Sequence, residues 1–285
     1  MLPVNRKYFR KVFAAVSLLV LVYSCGNQSS GQVNNSVINK EGLTIQERFG
    51  APDGFVRPDA DSTTFGFYLR SLPLKPGGEK VKLFDGREKS PDNVYCAVVD
   101  LPIGFKNLHQ CADAVIRLRA EYLWQQKKFS DIHFNFTSGF RADYSKWMSG
   151  KRISVDGNNC SWVARSAASN THDDLWNYME TVFMYAGTLS LNKELNTVNW
   201  DDMWPGDVLI QGGSPGHAVI VVDMIVNETT GEKRFLLAQS YMPAQEIQIL
   251  INPSNSEISP WYSLDCSNDI HTPEWDFKKA DLKRF

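Results

Sequence analysis

The stretch from Trp204 to Met224, W-P-G-D-V-L-I-Q-G-G-S-P-G-H-A-V-I-V-V-D-M, constrains the fold of this chain more than any other. Pro205 and Gly206 break whatever precedes them. Asp207 to Ile210 then reads as the start of a short apolar strand, and Gly212 to Gly216 as a turn that Pro215 stiffens. His217 opens a second strand. Because Ala218 to Val222 is a nearly unbroken β-branched run, that strand is expected to be buried on both faces. A chain with such a hairpin must build a sheet around it. The imidazole at the first position is then held at the sheet's rim, rigid yet close to solvent.

A P-G-D strand followed by G-H and an apolar strand resembles the histidine hairpin of the papain-like bacterial cell-wall cysteine peptidases and amidases. The resemblance implies an α+β, papain-like fold, with an antiparallel sheet packed against an N-terminal helix that bears the nucleophile. It also implies a cysteine at the start of that upstream helix and a polar residue on the strand after the histidine.

The residues supply candidates for both. From Asn107 to Lys127, the apolar positions Leu108, Cys111, Ala112, Val115, Leu118, Tyr122 and Leu123 recur at three- and four-residue intervals, which makes one helical stripe. Asn107 is expected as N-cap, with Lys127 and Lys128 suiting the far end of the dipole. Cys111 then sits near the first turn, where unpaired N–H groups and the positive helix end favour thiolate and lower a thiol pKa that is ordinarily about 8.5. A cysteine on an apolar stripe is also an ordinary core residue; the histidine hairpin downstream is what selects it as nucleophile. Gln239, on the strand expected over Arg234 to Ser240, is the candidate to orient the imidazole, against the alternative of a sheet-edge glutamine.

The expected catalytic set is therefore Cys111, His217 and Gln239. His217 takes the thiol proton, sulfur attacks an amide carbonyl, and water hydrolyses the acyl-enzyme. The Cys111 N–H is expected to stabilise the oxyanion, with the Gln110 side chain as a further donor. The alternative function is a non-catalytic envelope lipoprotein that uses the same cleft to bind peptide or glycan.

Several rivals carry less. Gly212 to Gly216 satisfies G-x-S-x-G around Ser214, but that motif requires a helix after the serine, and the run from His217 onward is strand-like. Cys160, after the turn at Gly157-Asn158-Asn159, has no helix start and ranks behind Cys111. The histidines at 109, 133, 172, 217 and 271 form no H-E-x-x-H, there is no C-x-x-C, and neither a metal nor any other cofactor is expected. His172, beside Asp173 and Asp174, reads as helix-start chemistry. With a net charge of −2 and no basic run in the mature part, nucleic acid is not an expected partner.

The N-terminus reads as an address. Arg6, Lys7, Arg10 and Lys11 precede the apolar run Val12 to Val22, too short to span a bilayer comfortably. The run ends in Val22-Tyr23-Ser24-Cys25-Gly26, which resembles a bacterial lipobox. Residues 1–24 are thus expected to be a lipoprotein signal peptide, with Cys25 lipidated and the membrane a partner through that lipid. Residues 25–42, rich in Asn, Ser, Gln and Gly, are expected as a flexible tether, and 43–285 as one papain-like domain with insertions. The expected location is the bacterial cell envelope, facing the periplasm, with peptidoglycan or another peptide as substrate. An exported compartment permits disulfides; Cys160 with Cys266 is one pairing among those open.

Along the remaining chain, Thr44 to Phe49 suggests a short helix, Phe65 to Leu72 a strand, and Lys82 to Lys89 a hairpin centred on Asp85-Gly86. Strands are expected over Val94 to Val99, Ile132 to Thr137 and Gln245 to Ile251. Helices are expected over Asp173 to Tyr185 and Ser190 to Leu195. The region after Pro253 is expected to be mostly loop. Gln110 to Leu123, Pro215 to Met224, Leu236 to Gln245 and Thr272 to Trp275 also resemble an uncharacterised family of bacterial lipoproteins that carry a domain of unknown function. The chain between Cys111 and His217 is longer than in the compact cell-wall peptidases, so an insertion must fold over or beside the cleft.

Overall fold

The computed structural model describes residues 38–266 and 269–285. The expected signal peptide, Cys25 and the first part of the expected tether lie outside them. The last residues of the expected tether are tied down: Ile38 bridges to Phe49, and the Arg48 guanidinium donates to the Gly42 carbonyl at 2.9 and 2.6 Å.

The first helix, α1 (Ile45–Arg48), starts where Glu47 accepts from the N–H groups of Leu43 and Thr44, as a Thr-x-x-Glu sequence favours. A two-residue strand β1 (Phe55–Val56) follows. Phe65 to Leu72, expected as a strand, is instead helix α2 (Phe65–Arg70). Thr64 caps it, accepting from Phe67 N–H at 3.3 Å, and Phe65 packs on Tyr122 with ring centroids 5.0 Å apart. Cap chemistry and tertiary packing outweigh the aromatic residues' strand preference.

Strand β2 (Tyr95–Val98) precedes the long helix α3 (Cys111–Gln125). Asn107 is not its cap: Asn107 Oδ1 accepts from Ala244 N–H, and the N-cap is Gln110. The helix therefore opens on Cys111 itself.

The insertion before the histidine hairpin holds strands β3 (His133–Asn135) and β4 (Arg141–Asp143), helix α4 (Tyr144–Met148), and a ribbon of β5 (Lys151–Asp156) with β6 (Asn159–Ala164). Gly157, at φ +58°, makes the turn of that ribbon. Helices α5 (His172–Tyr185) and α6 (Thr188–Glu194) close the insertion.

After β7 (Asn196–Thr197) come the hairpin strands β8 (Val208–Gln211) and β9 (His217–Asn227), then β10 (Lys233–Gln239) and β11 (Gln248–Leu250). The tail, expected as mostly loop, contributes β12 (Tyr262–Ser263), β13 (Asp269–His271), β14 (Asp276–Lys278) and β15 (Leu282–Arg284).

The result is an α+β fold around a nine-stranded antiparallel sheet ordered β2-β11-β10-β9-β8-β15-β7, with β1 against β9 and β12 against β10. β9 is the axis of the sheet, and both its faces are covered. Ala218, Ile220 and Val222 join the larger core with the helices; Val219 and Val221 join a second core with Phe235, Leu237 and Phe277. Each of these valine, isoleucine, leucine and phenylalanine side chains stabilises the fold by roughly 1.5 to 3 kcal/mol relative to exposure. That two-sided burial is why the β-branched run reads as continuous.

Candidate functional site

Cys111 is the first residue of α3, and α3 packs on β9. The helix start and the strand start thus meet at one end of the sheet. The backbone N–H groups of Ala112, of Cys111 itself and of Ala218, the residue after His217, are near enough to the Cys111 sulfur to favour its thiolate. It lines a cleft of about 560 Å³, walled by Gln110 and Asp113 on α3, by Gly213 to Gly216, and by Phe183, Thr188 and Leu189. The insertion therefore stands beside the cleft and forms one wall of it. Thr188 fastens the glycine turn to that wall, donating to the Gly213 carbonyl at 3.2 Å.

His217 points to the other face. Its neighbour Ala218 faces the helices, while the imidazole packs against Phe277, Trp275 and Tyr241 at centroid distances of 5.9, 5.5 and 4.9 Å. His217 Nε2 lies 2.8 Å from Gln239 Oε1, the first and last residues of adjacent strands. Among the described residues no hydrogen bond joins the Cys111 sulfur to the imidazole. Tyr241, which packs against the imidazole, is also within electrostatic reach of Cys111. Gln239 is buried, at the end of an inner strand and not at a sheet edge.

Sequence reasoning missed the groups that stand behind Gln239. Its Nε2 donates to Glu274 Oε2 at 2.6 Å, and the same oxygen accepts from Lys89 Nζ at 2.6 Å. Lys89 is 6% exposed and ends the expected hairpin, whose Lys82–Glu88 bridge and Gly86 turn are present. Glu274 sits in the turn between β13 and β14, where Thr272 and Trp275 exchange hydrogen bonds. The available signal was chemical: a buried glutamine that orients a histidine needs an acceptor for its own amide N–H.

The electrostatics correct one expectation. The helix start was expected to lower the Cys111 pKa, yet it is raised to about 11, because burial outweighs the N–H groups and the Asp113 carboxylate adds to the rise. The His217 imidazole is pushed down to about 4 by burial, with Gln239 opposing and Lys89 assisting. The pair is therefore neutral thiol and neutral imidazole at pH 7, suited to general-base activation and not to a resting ion pair. Asp113, 6% exposed, is raised to about 8 by burial. Its Oδ2 accepts from Gln110 N–H at 3.0 Å, and its Oδ1 has no partner. Tyr241 is pushed up by burial, then by Glu274 and Cys111, which places the phenol within electrostatic reach of both.

The Gln110 side chain lines the cleft, its Nε2 3.4 Å from Asn107 Oδ1. Cys160 lies on β6, 3.8 Å from Ser138 Oγ, and Cys160, Cys266, Cys96 and Cys111 are all free thiols. Ser214 is followed by β9, a strand. His172 opens α5 and meets Glu121 at 3.0 Å. No group of His, Cys, Asp and Glu among the described residues would hold a metal ion. A second cleft, about 600 Å³, is lined by Asp201, Trp204, Lys233 and Arg284 and carries neither thiol nor imidazole.

Residues 45–284 match a family described as a domain of unknown function (4846), and the chain belongs to that family. No curated protein and no solved structure matches the chain. Among the described residues, no helix is long and apolar enough to cross a membrane.

Proposed function

We propose that this chain is a cell-envelope lipoprotein, anchored through lipid on Cys25 and facing the periplasm, whose papain-like domain is a cysteine hydrolase of amide bonds. Peptidoglycan peptide, or a related peptide, is the substrate class. The observation that carries the reading is a cleft-lining cysteine at the first position of a helix, packed on the strand that opens with a glutamine-oriented histidine.

In the reaction, the His217 Nδ1 lone pair accepts the Cys111 thiol proton as the sulfur attacks the amide carbonyl carbon. The Cys111 N–H donates to the developing oxyanion. The imidazolium then returns its proton to the leaving nitrogen as the C–N bond breaks, leaving a thioester. Water, deprotonated by the same imidazole, attacks that thioester; the acyl group leaves as a carboxylate, and the expelled thiolate takes the imidazolium proton to restore the thiol. A raised thiol pKa confines thiolate formation to the loaded cleft, where proton transfer and attack are coupled.

A second reading is favoured by one observation: His217 is 1% exposed, ringed by aromatic side chains and unbonded to the sulfur. On that reading the cleft binds peptide or glycan without turnover. Incubation with peptidoglycan stem peptides, read by mass spectrometry, separates the two. Amide cleavage that is lost in Cys111→Ser supports the hydrolase; binding without cleavage at the same cleft supports the alternative.

A further inference from the structure

We propose that the buried Lys89–Glu274 ion pair is a positioning device: it fixes which way the Gln239 amide faces, and through it the tautomer of His217, leaving Nδ1 as the ring's free lone pair. The inference rests on the hydrolase reading of the same site.

Donors and acceptors decide the orientation. An ionised carboxylate only accepts, and an amide carries a donor end and an acceptor end. Glu274 Oε2 takes the Lys89 ammonium at 2.6 Å and the Gln239 end group at 2.6 Å, so the end facing Glu274 must be the NH₂. The carbonyl end then faces His217 Nε2 at 2.8 Å, and Nε2 must carry the proton. A reversed amide would press its oxygen against the carboxylate and lose both bonds. The orientation of the side chain, usually ambiguous, is thus dictated by a charge two residues removed from the imidazole. Lys89 pairs with Glu274 largely away from solvent: the lysine side chain is 4% exposed and the glutamate 15%.

Lys89 and Glu274 come from segments far apart in the described chain, so the clamp also ties the tail hairpin to the sheet. The groups around the ring are Gln239 from β10, Trp275 and Phe277 from the tail, Tyr241 and Lys89, with Glu274 behind Gln239 and Cys111 within electrostatic reach of Tyr241. Of these, Lys89, Glu274, Tyr241 and Cys111 titrate or carry charge. Lys89 Nζ also lies 5.3 Å from the Tyr241 ring centroid, and its positive charge opposes protonation of the imidazole.

The test is ¹⁵N NMR of the full chain with labelled histidine, the His217 signals being identified by their loss in His217→Asn. The wild type is expected to show the Nε2–H tautomer from pH 6 to 8. Glu274→Gln, whose side chain can donate as well as accept, is expected to bring up a measurable Nδ1–H population. Lys89→Met keeps the carboxylate and hence the tautomer, but without the cation the imidazole's titration midpoint rises by about one pH unit, a roughly tenfold gain in proton affinity. Lys89→Arg is expected to restore the midpoint. An Nδ1–H tautomer in the wild type overturns the proposal. So does a tautomer and midpoint unmoved in folded Glu274→Gln and Lys89→Met, since a purely structural pair would change only stability. The spectra need no substrate, so an Nε2–H wild type that cleaves nothing refutes the hydrolase and leaves the clamp standing.

Discussion

Replacing Asp113 with Asn tests the electrostatics of the cleft on two independent readouts. Asp113 is two residues beyond Cys111, buried, with one oxygen unpartnered. Its carboxyl is raised from 3.8 to about 8 in the folded state. Between those values the native state binds more protons than the unfolded chain, so its contribution to stability is full below pH 3.8 and is lost as pH rises through about 8. At about 1.4 kcal/mol per pH unit the loss has a ceiling on the order of 5 kcal/mol. Asp113 lines the cleft, and water reaching the ionised group would reduce the loss to about 3 kcal/mol. Asparagine keeps an oxygen for the Gln110 N–H and never ionises. The variant and wild type should therefore unfold alike in urea near pH 4, and the variant should be the more stable by about 3 kcal/mol at pH 9. The second readout is Cys111. After burial, the Asp113 charge is what raises that thiol, so alkylation of Cys111 at pH 9 should accelerate about tenfold in the variant. Parallel stability curves across this pH range, or unchanged alkylation, would refute the reasoning.

Two further predictions concern the frame that holds the site. Asp223, fully buried on β9, pairs with Arg57 at 2.7 Å and more distantly with Arg70 at 3.7 Å; Arg57→Met should cost about 3 kcal/mol in urea unfolding at pH 7, because it strands a buried carboxylate, and a cost below about 1 kcal/mol would show that Arg70 suffices alone. Gly216→Ala would put a Cβ 2.5 Å from Thr188 Oγ1, 2.7 Å from the Gln211 carbonyl oxygen and 2.8 Å from Gly213 N. The turn must shift, so stability should fall by about 2 kcal/mol and peptide binding in the cleft should weaken; unaltered binding would detach the glycine turn from the site.

The features legible in the sequence were local. The hairpin of β8 and β9 could be read because a turn of glycines and proline beside a β-branched run leaves few alternatives, and Gln239 because it ends the next strand. The α3 stripe was legible by its period, while its start was not: Asn107 has cap chemistry, but its side chain is used by Ala244, far along the chain between β10 and β11. The helix at Phe65 hid behind aromatic residues that favour strands until packing on Tyr122 decides otherwise. Lys89 and Glu274 lie far from the motif and meet only through the folded tail. The direction of the Cys111 shift depended on burial, which no spacing of residues records. The packing of the imidazole on the tail aromatics comes from the phase of β9, which the sequence shows only once one knows that Ala218 joins the helix-side core.

The central claim is that Cys111 forms an acyl-enzyme with His217 as its base. Intact-mass measurement of the full chain after brief incubation with an activated peptide ester tests it directly. The account predicts one added acyl group, mapped to Cys111, absent in Cys111→Ser and slowed at least about a hundredfold in His217→Ala. No adduct, or one that forms equally fast without the imidazole, would contradict it.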